Sequence, residues 1–295
     1  MGRKTLVSWA HHSWNGWMCC GKCAPECIHC YINRAIRRYK DPQTGLQLKP
    51  WGHQLYKPKT TWDQPQQFQA ETVRRGWRAG EVEDYARVFT CSISDFFIKE
   101  ADQWRDAAWK VIKGTPNLVY MILTKRPEKI LSHLPADWGQ GYHNVWLGTS
   151  VGCKLTLPKI DVLREVPVHP EAVRWLSCEP LIEDISNEID LTGIGWLIVG
   201  GESGDNPEYH YDPNEDWRLK ILGQNATQAV HGRRVMELEW AYKMMLRARR
   251  ADIPFWFKQI TAGHSGVMPD ALGKMYHEVP PPPHGGIWLP YKEKK

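Results

Sequence analysis

The chain has 295 residues, of which 42% are hydrophobic and 24% are charged, so it can bury one large core or two smaller ones. No stretch approaches the roughly 18 apolar residues of a membrane-spanning helix, and the first residues lack the apolar core of a secretory signal. The net charge of +5 is a mild basic bias, smaller than that of dedicated nucleic-acid binders. With eight cysteines, these features predict a cytoplasmic protein with reduced thiols and no membrane partner.

Seven short apolar runs are continuous rather than alternating, which is typical of parallel strands buried on both faces. The runs are Thr5–Ala10, Val88–Asp95, Leu118–Pro127, Val145–Val151, Val173–Pro180, Gly195–Gly204 and Ile253–Gln259. Helical patterns lie between some of them, at Asp102–Lys113, Leu155–Val166 and Val235–Ala251. Alternating strands and helices predict an α/β fold, specifically a partial or near-complete (β/α) TIM-like barrel.

This pattern predicts one barrel domain over residues 1–262, followed by an irregular, surface-exposed tail over 263–295. Residues 40–80 are polar and rich in Pro and Gln, and we expect a loop with a short helix there. Residues 205–232 interrupt the chain after the sixth strand, which predicts an insertion over the barrel mouth that acts as a lid or a partner site.

Polar side chains stand at the end of six of the seven runs. They are Ser94 and Asp95, Lys125 and Arg126, Thr149 and Ser150, Cys178 and Glu179, Glu202 and Ser203, and Lys258 and Gln259. Because functional groups of α/β barrels cluster at the carboxyl ends of the strands, these residues predict a polar mouth. One or two of them, such as Ser94 or Asp95, are expected to cap the following helix instead.

Three cysteines, Cys23, Cys27 and Cys30, are spaced by four and three residues within one loop. Cubane iron–sulfur clusters normally take four thiolates, so three leave one iron open to a substrate or cofactor. The alternative is a zinc site that also draws on Cys19 or Cys20. Structural zinc usually takes two separated ligand pairs, whereas this chain has a single cysteine cluster.

The CxxxCxxC order, followed by the aromatic Tyr31, resembles the signature of the radical S-adenosylmethionine superfamily. In that superfamily the three cysteines hold a [4Fe–4S] cluster whose fourth iron chelates S-adenosylmethionine. The strings FTCSISDFF, LTKRP, WLSCEP, VGGESG and FWFKQ together resemble a family of uncharacterised phage and bacterial three-Cys-motif proteins, often encoded beside a "three-Cys-motif partner" protein. The resemblance runs from Ser13 to Gln259 and implies a cluster loop at 19–31, a reducing electron donor and, for a phage protein, the host cytoplasm.

The resemblance also implies positions for the cofactor. Tyr31 corresponds to the aromatic residue near the adenine, while Ser92, Ser94 and Asp95 stand where the superfamily has an acidic motif that holds the amino group. The other residues expected to contact the cofactor are Lys125, Thr149, Ser150, Gly200, Gly201 and Glu202. Some of these residues have a structural alternative: a helix cap or salt bridge for Asp95, a tight turn for the glycines, and pairing with Glu179 or Glu202 for Lys125 and Arg126.

Cys178 and Glu179 are the candidate catalytic residues, with Cys178 as a hydrogen-atom donor or a fourth ligand. A lone cysteine at a strand end is more often a small buried core residue.

The leading function is a radical enzyme that abstracts hydrogen from its substrate. The basic balance and the 16 tryptophans favour a nucleic acid or nucleotide as that substrate, for repair or modification. The alternatives are a non-catalytic zinc or iron–sulfur protein that binds nucleic acid or a partner, and a hydrolase using Glu179 and Glu202 as an acid–base pair.

Overall fold

The computed structural model describes residues 5, 7–41, 44–51, 54–58, 60–74, 86–204, 229–230, 233–262 and 276–280. Within them, seven parallel strands form one curled sheet in the order β1–β2–β3–β4–β5–β6–β9. The strands are β1 His12–Trp14, β2 Ala86–Thr90, β3 Leu118–Thr124, β4 Val145–Ser150, β5 Arg174–Cys178, β6 Trp196–Gly200 and β9 Phe255–Gln259. A second, antiparallel pair joins β7 Ala229–Val230 to β8 Arg233–Arg234. The curled sheet makes the molecule a mixed α/β half-barrel, which confirms a partial barrel.

The helices in the described residues are α1 Ile32–Ile36, α2 Gln64–Arg74, α3 Asp102–Lys113, α4 Lys159–Arg164 and α5 Leu238–Arg250. Helix α3 spans the residues its pattern predicts, because Ala108, Trp109 and Ile112 form one buried face. Helix α5 likewise buries Ala241, Met244, Met245 and Ala248. Helix α4 is shorter than expected, since Lys154–Thr156 forms a separate 3-10 turn before it.

The first strand begins later than the apolar run Thr5–Ala10 predicts. Residues 7–10 form a turn, in which the Ala10 amide donates to the Val7 carbonyl at 3.1 Å. The paired residues are His12–Trp14, which lie in register with Val88–Thr90 of β2. The turn carries Trp9 into the sheet's inner face, so this run contributes a core side chain rather than a strand.

The inner face of the sheet is filled at its base by five tryptophans, which we call the tryptophan floor: Trp9, Trp146, Trp175, Trp196 and Trp256. The Trp196 ring lies at the centre, 6.0–6.4 Å from the ring centroids of the other four. Gly148 makes room for one of them, since a Cβ there would stand 2.5 Å from the Trp175 ring. The opposite face packs under helices α3, α4 and α5 in the main hydrophobic core.

Part of the C-terminal tail differs from the irregular segment that its composition suggests. Residues 276–280 lie along the outer edge of β9, where the Phe257 amide donates to the Tyr276 carbonyl at 2.8 Å. The Glu278 amide donates to the Phe255 carbonyl at 3.1 Å, and the Trp196 indole donates to the Glu278 carbonyl at 2.8 Å. This segment therefore covers an open edge of the half-barrel.

The predicted insertion at 205–232 lies outside the described residues except for β7, which is one half of the small antiparallel pair. The short helix expected within 40–80 corresponds to α2 at Gln64–Arg74, and the chain around 75–85 is outside the described residues. No helix among the described residues is long and apolar enough to cross a membrane.

Candidate cofactor site

A cavity of about 770 Å³ lies at the carboxyl ends of the strands, with the cysteine loop on one side and Trp9 of the tryptophan floor below. Most of the predicted strand-end residues line it. They are Ser94, Asp95, Lys125, Arg126, Ser150, Glu179, Gly201, Glu202, Ser203 and Lys258, joined by Tyr31 from the cysteine loop. The polar mouth predicted from the sequence is thus present as one continuous surface.

Four of the predicted strand residues, Thr149, Cys178, Gly200 and Gln259, do not line the cavity, because successive residues of a strand alternate between the two faces of a sheet. Cys178 is fully buried in the main hydrophobic core, where burial raises the pKa of its thiol. Thr149 donates from its hydroxyl to the Thr124 carbonyl at 3.0 Å. Gly200 packs against side-chain carbons of Gln259 and Lys258. The geometry therefore gives Cys178 no access to a substrate in this cavity.

The cysteine loop closes one side of the cavity through a series of tight turns. The Cys27 amide donates to the Ala24 carbonyl at 2.9 Å, and the Cys30 amide donates to the Cys27 carbonyl at 3.4 Å. Cys27 and Cys30 line the cavity, while Cys23 is exposed beside Cys27. The three sulfurs thus lie at the boundary between the cavity and solvent.

The electrostatics around the loop couple the cysteines to Lys125. A hydrogen bond from the Cys23 thiol lowers the pKa of Cys27 to about 6, against the opposing effect of burial and with the help of Lys125. Burial raises the pKa of Cys30 to about 11. Burial alone would lower the pKa of Lys125, but the nearby Cys27 and Cys30 sulfurs raise it. Lys125 is therefore a permanent cation facing the cysteine loop.

Two buried carboxylates anchor this loop to the barrel. Glu26, inside the cysteine motif, accepts hydrogen bonds from the Gly152 amide at 2.8 Å and the Thr156 hydroxyl at 2.7 Å. Glu202 pairs with Arg234, whose guanidinium also donates to the Pro25 carbonyl at 3.1 Å. The loop is therefore held by the segment after β4 and, through Glu202 and Arg234, by the segment after β6 and strand β8.

Gly204 adds a third, steric anchor at the end of the VGGESG string. A Cβ on Gly204 would stand 1.7 Å from the His29 carbonyl oxygen and 2.6 Å from the Tyr31 amide nitrogen. Only a residue without a side chain allows this approach of two backbones. His29 also lies 3.8 Å from the Glu202 carboxylate, and burial lowers the pKa of its imidazole.

Asp95 lines the cavity, but its carboxylate is already coordinated by the protein. It accepts from the Thr124 hydroxyl at 2.8 and 2.9 Å and from the Phe97 and Lys125 amides at 2.9 and 3.1 Å. Arg126 completes the set with an ion pair at 3.2 Å. These contacts fasten the loop after β2 to the end of β3, which matches the structural alternative for Asp95.

Two further predicted residues are also engaged. The Ser94 hydroxyl donates to the Cys19 carbonyl at 2.5 Å, and Glu179 forms an ion pair with Lys258. By contrast, three buried polar atoms that belong to cavity-lining residues have no hydrogen-bond partner within the described part of the chain. These are the Trp9 indole nitrogen, the Ser150 hydroxyl and Glu26 Oε2. Buried polar groups are normally paired, so these atoms indicate that the cavity receives water or a polar ligand.

The cysteine loop offers the type of ligand atom, thiol sulfur, that an iron–sulfur cluster takes. Two thiols of the loop line the cavity and a third is exposed beside them, and the cations of Lys125 and Arg126 offset the negative charge that thiolate ligands bring. Among the described residues, no group of three or more His, Cys, Asp or Glu side chains is drawn together closely enough to hold a single metal ion.

The fold and the site define an α/β half-barrel with a three-cysteine loop over a polar cavity. The chain belongs to the family described as "Protein of unknown function (DUF5131)", whose model matches residues 4–231. That match includes the cysteine loop and strands β1 to β6. No curated protein and no solved structure matches the chain.

Sequence reasoning missed several residues that position the site. Glu26 stands inside the cysteine motif, and an acidic residue at that position could have been noticed from the sequence. Gly204 belongs to the VGGESG string and Arg234 to no motif, and the role of neither could be read locally, because it comes from contacts with residues far away in the chain.

Proposed function

We propose that the protein is a radical S-adenosylmethionine enzyme whose cluster is held by Cys23, Cys27 and Cys30. The observation that carries this proposal is the position of the three-cysteine loop, anchored over a cavity at the carboxyl ends of a parallel half-barrel. A structural metal site needs neither a polar cavity nor unpaired polar atoms in its wall, and both are present here.

When bound, the reduced cluster supplies the electron that cleaves S-adenosylmethionine and yields a 5′-deoxyadenosyl radical. The chain's own residues provide binding, orientation and a dry site. Lys125 is placed to hold the carboxylate of the cofactor, and Tyr31 and Gly201 offer a ring and an open backbone for the adenosine. The tryptophan floor excludes water from below.

Two features of the cavity speak against the hydrolase alternative. Glu179 is paired with Lys258, and Glu202 is buried and paired with Arg234, so neither carboxylate is placed to exchange protons with a water. A non-catalytic metalloprotein remains the competing proposal, and it predicts no cleavage of S-adenosylmethionine.

The test is made on protein purified and reconstituted without oxygen. We expect about four irons and matching sulfide per chain, and formation of 5′-deoxyadenosine on addition of dithionite and S-adenosylmethionine. Cys27→Ala and Cys30→Ala should lose both iron and product. Cys153→Ala is the matched control, because Cys153 is buried outside the loop, and it should keep both. Zinc in place of iron, or a cluster that never cleaves the cofactor, would favour the binding protein.

A further inference from the structure

The positive charge of the chain is concentrated in one segment. Residues 20–62 contain eight Lys and Arg against two Asp and Glu, whereas the rest of the chain contains 30 against 31. One of the two acidic residues, Glu26, is buried. The whole net charge of the protein therefore lies in the segment that carries the cysteine loop, and we call the exposed surface of its described residues the basic face.

The basic face adjoins the cavity rather than standing apart from it. Arg34, Arg38 and Trp51 line the cavity mouth. A backbone bridge from Cys20 to Trp51 holds the indole beside the cysteine loop, and the Leu48 amide donates to the Tyr39 carbonyl at 3.0 Å, which folds the segment on itself. Lys22, Arg38, Lys40, Lys49 and Lys57 are exposed on this surface.

Aromatic rings alternate with these cations. The Lys22 ammonium lies 5.4 Å from the centre of the Trp51 ring, and Lys57 lies 4.1 Å from the Trp62 ring. Tyr31, 36% exposed, stands at the cavity beside the cysteines. Cations beside aromatic rings are the usual surface for single-stranded nucleic acid, because the cations follow the phosphates and the rings stack on bases.

We propose that the substrate is a single-stranded nucleic acid, whose phosphates lie along the basic face and whose target base enters the cavity past Trp51 and Tyr31. This inference rests on the proposed function for its chemistry, but the binding is measured separately. A single strand is favoured over a duplex because a base must leave its stack to enter the cavity. An anionic membrane is disfavoured, since Tyr31 and Leu46 are the only exposed large hydrophobic residues among the described part of the basic face.

The experiment measures binding of a fluorescein-labelled 20-nucleotide oligothymidine to the anaerobically reconstituted protein by fluorescence anisotropy, over a series of salt concentrations. We compare wild type with an Arg38→Gln, Lys49→Gln, Lys57→Gln triple variant. Each lost phosphate contact should reduce the slope of log affinity against log salt by about 0.7, so the triple variant should lose up to about two from the slope. Its affinity at low salt should fall at least about tenfold.

The matched control removes the same charge from outside the basic face. Arg74→Gln, Lys110→Gln, Arg250→Gln changes exposed residues on or at the end of α2, α3 and α5. It should bind the oligonucleotide like wild type. A separate Trp51→Leu variant should lose about tenfold in affinity with an unchanged salt slope, because it removes stacking and no charge.

Equal binding by the two triple variants would overturn the proposal, as would binding of a duplex of the same length as tightly as the single strand. Binding to vesicles of anionic phospholipid with none to the oligonucleotide would overturn it in favour of a membrane surface. If 5′-deoxyadenosine forms while the oligonucleotide does not bind, this inference fails and the radical chemistry stands. If the oligonucleotide binds as expected while no cofactor is cleaved, the proposed function fails and the nucleic-acid surface stands.

Discussion

Gly204 ties the segment after β6 to the cysteine loop through backbone contact alone. An added Cβ would overlap the His29 carbonyl at 1.7 Å, and backbone atoms cannot rotate away as a flexible side chain does. The same loop carries all three candidate ligands, so a small displacement at Gly204 moves the sulfurs themselves.

We therefore expect Gly204→Ala to lose bound iron after anaerobic reconstitution and to lower the free energy of unfolding by about 1–3 kcal/mol. The control is Gly195→Ala at the other end of β6, where a Cβ would meet a methyl group of Val173 at 3.1 Å. That variant should lose some stability but keep its iron. Iron and sulfide content per chain, with urea unfolding of both variants, checks the prediction, and full iron in Gly204→Ala would contradict it.

The site residues that could be predicted from the sequence are those whose type and spacing are unusual. Cys23, Cys27 and Cys30 are such a set, and the polar strand ends follow from the rule that parallel strands end at one edge. The partners of these residues could not be foreseen. From the sequence alone, Asp95 could be a cofactor ligand or a structural anchor, and only its contacts with Thr124 and Arg126 distinguish the two roles.

At the scale of elements, the tryptophan floor replaces the side-chain layers that fill the base of a complete barrel. Strands β4, β5, β6 and β9 each contribute one ring, and Trp9 enters from the turn before β1. The sequence shows 16 tryptophans, and the 13 in the described residues are buried or half-buried. It could not show that five share one cluster, because that depends on the register between strands.

The Trp196 ring lies at the centre of the tryptophan floor, next to the other four rings. Trp196→Ala should lower the free energy of unfolding by about 3–5 kcal/mol, because it removes a fully buried ring and leaves a cavity. Trp62→Ala, which removes a half-buried ring near the surface, should cost much less. Urea denaturation followed by circular dichroism compares the two. Similar losses would mean that the floor collapses readily around the missing ring and contributes little to holding the barrel.

At the scale of the whole molecule, the half-barrel has two open edges, at β1 and β9. Sequence patterns predicted six of the seven strands and their parallel arrangement, but whether a sheet closes depends on how its edges are satisfied. Edge β1 has three residues, whereas β9 has five and is covered by residues 276–280. Residues 276–280 thus cover the edge of β9, as a further strand would in a closed barrel.

Removal of residues 276–295 should therefore expose the β9 edge and leave the Trp196 indole and the Phe255 amide without their Glu278 acceptors. We expect a lower urea midpoint and association that grows with protein concentration, because an uncovered strand edge pairs with other chains. Removal of residues 281–295 alone is the matched control, since it keeps the covering segment, and it should behave like the full chain. Sedimentation velocity at several concentrations, with urea unfolding, measures both effects. If the longer truncation sediments and unfolds like the shorter one, the segment at 276–280 does not protect the sheet, and the stability of the half-barrel must come from its core alone.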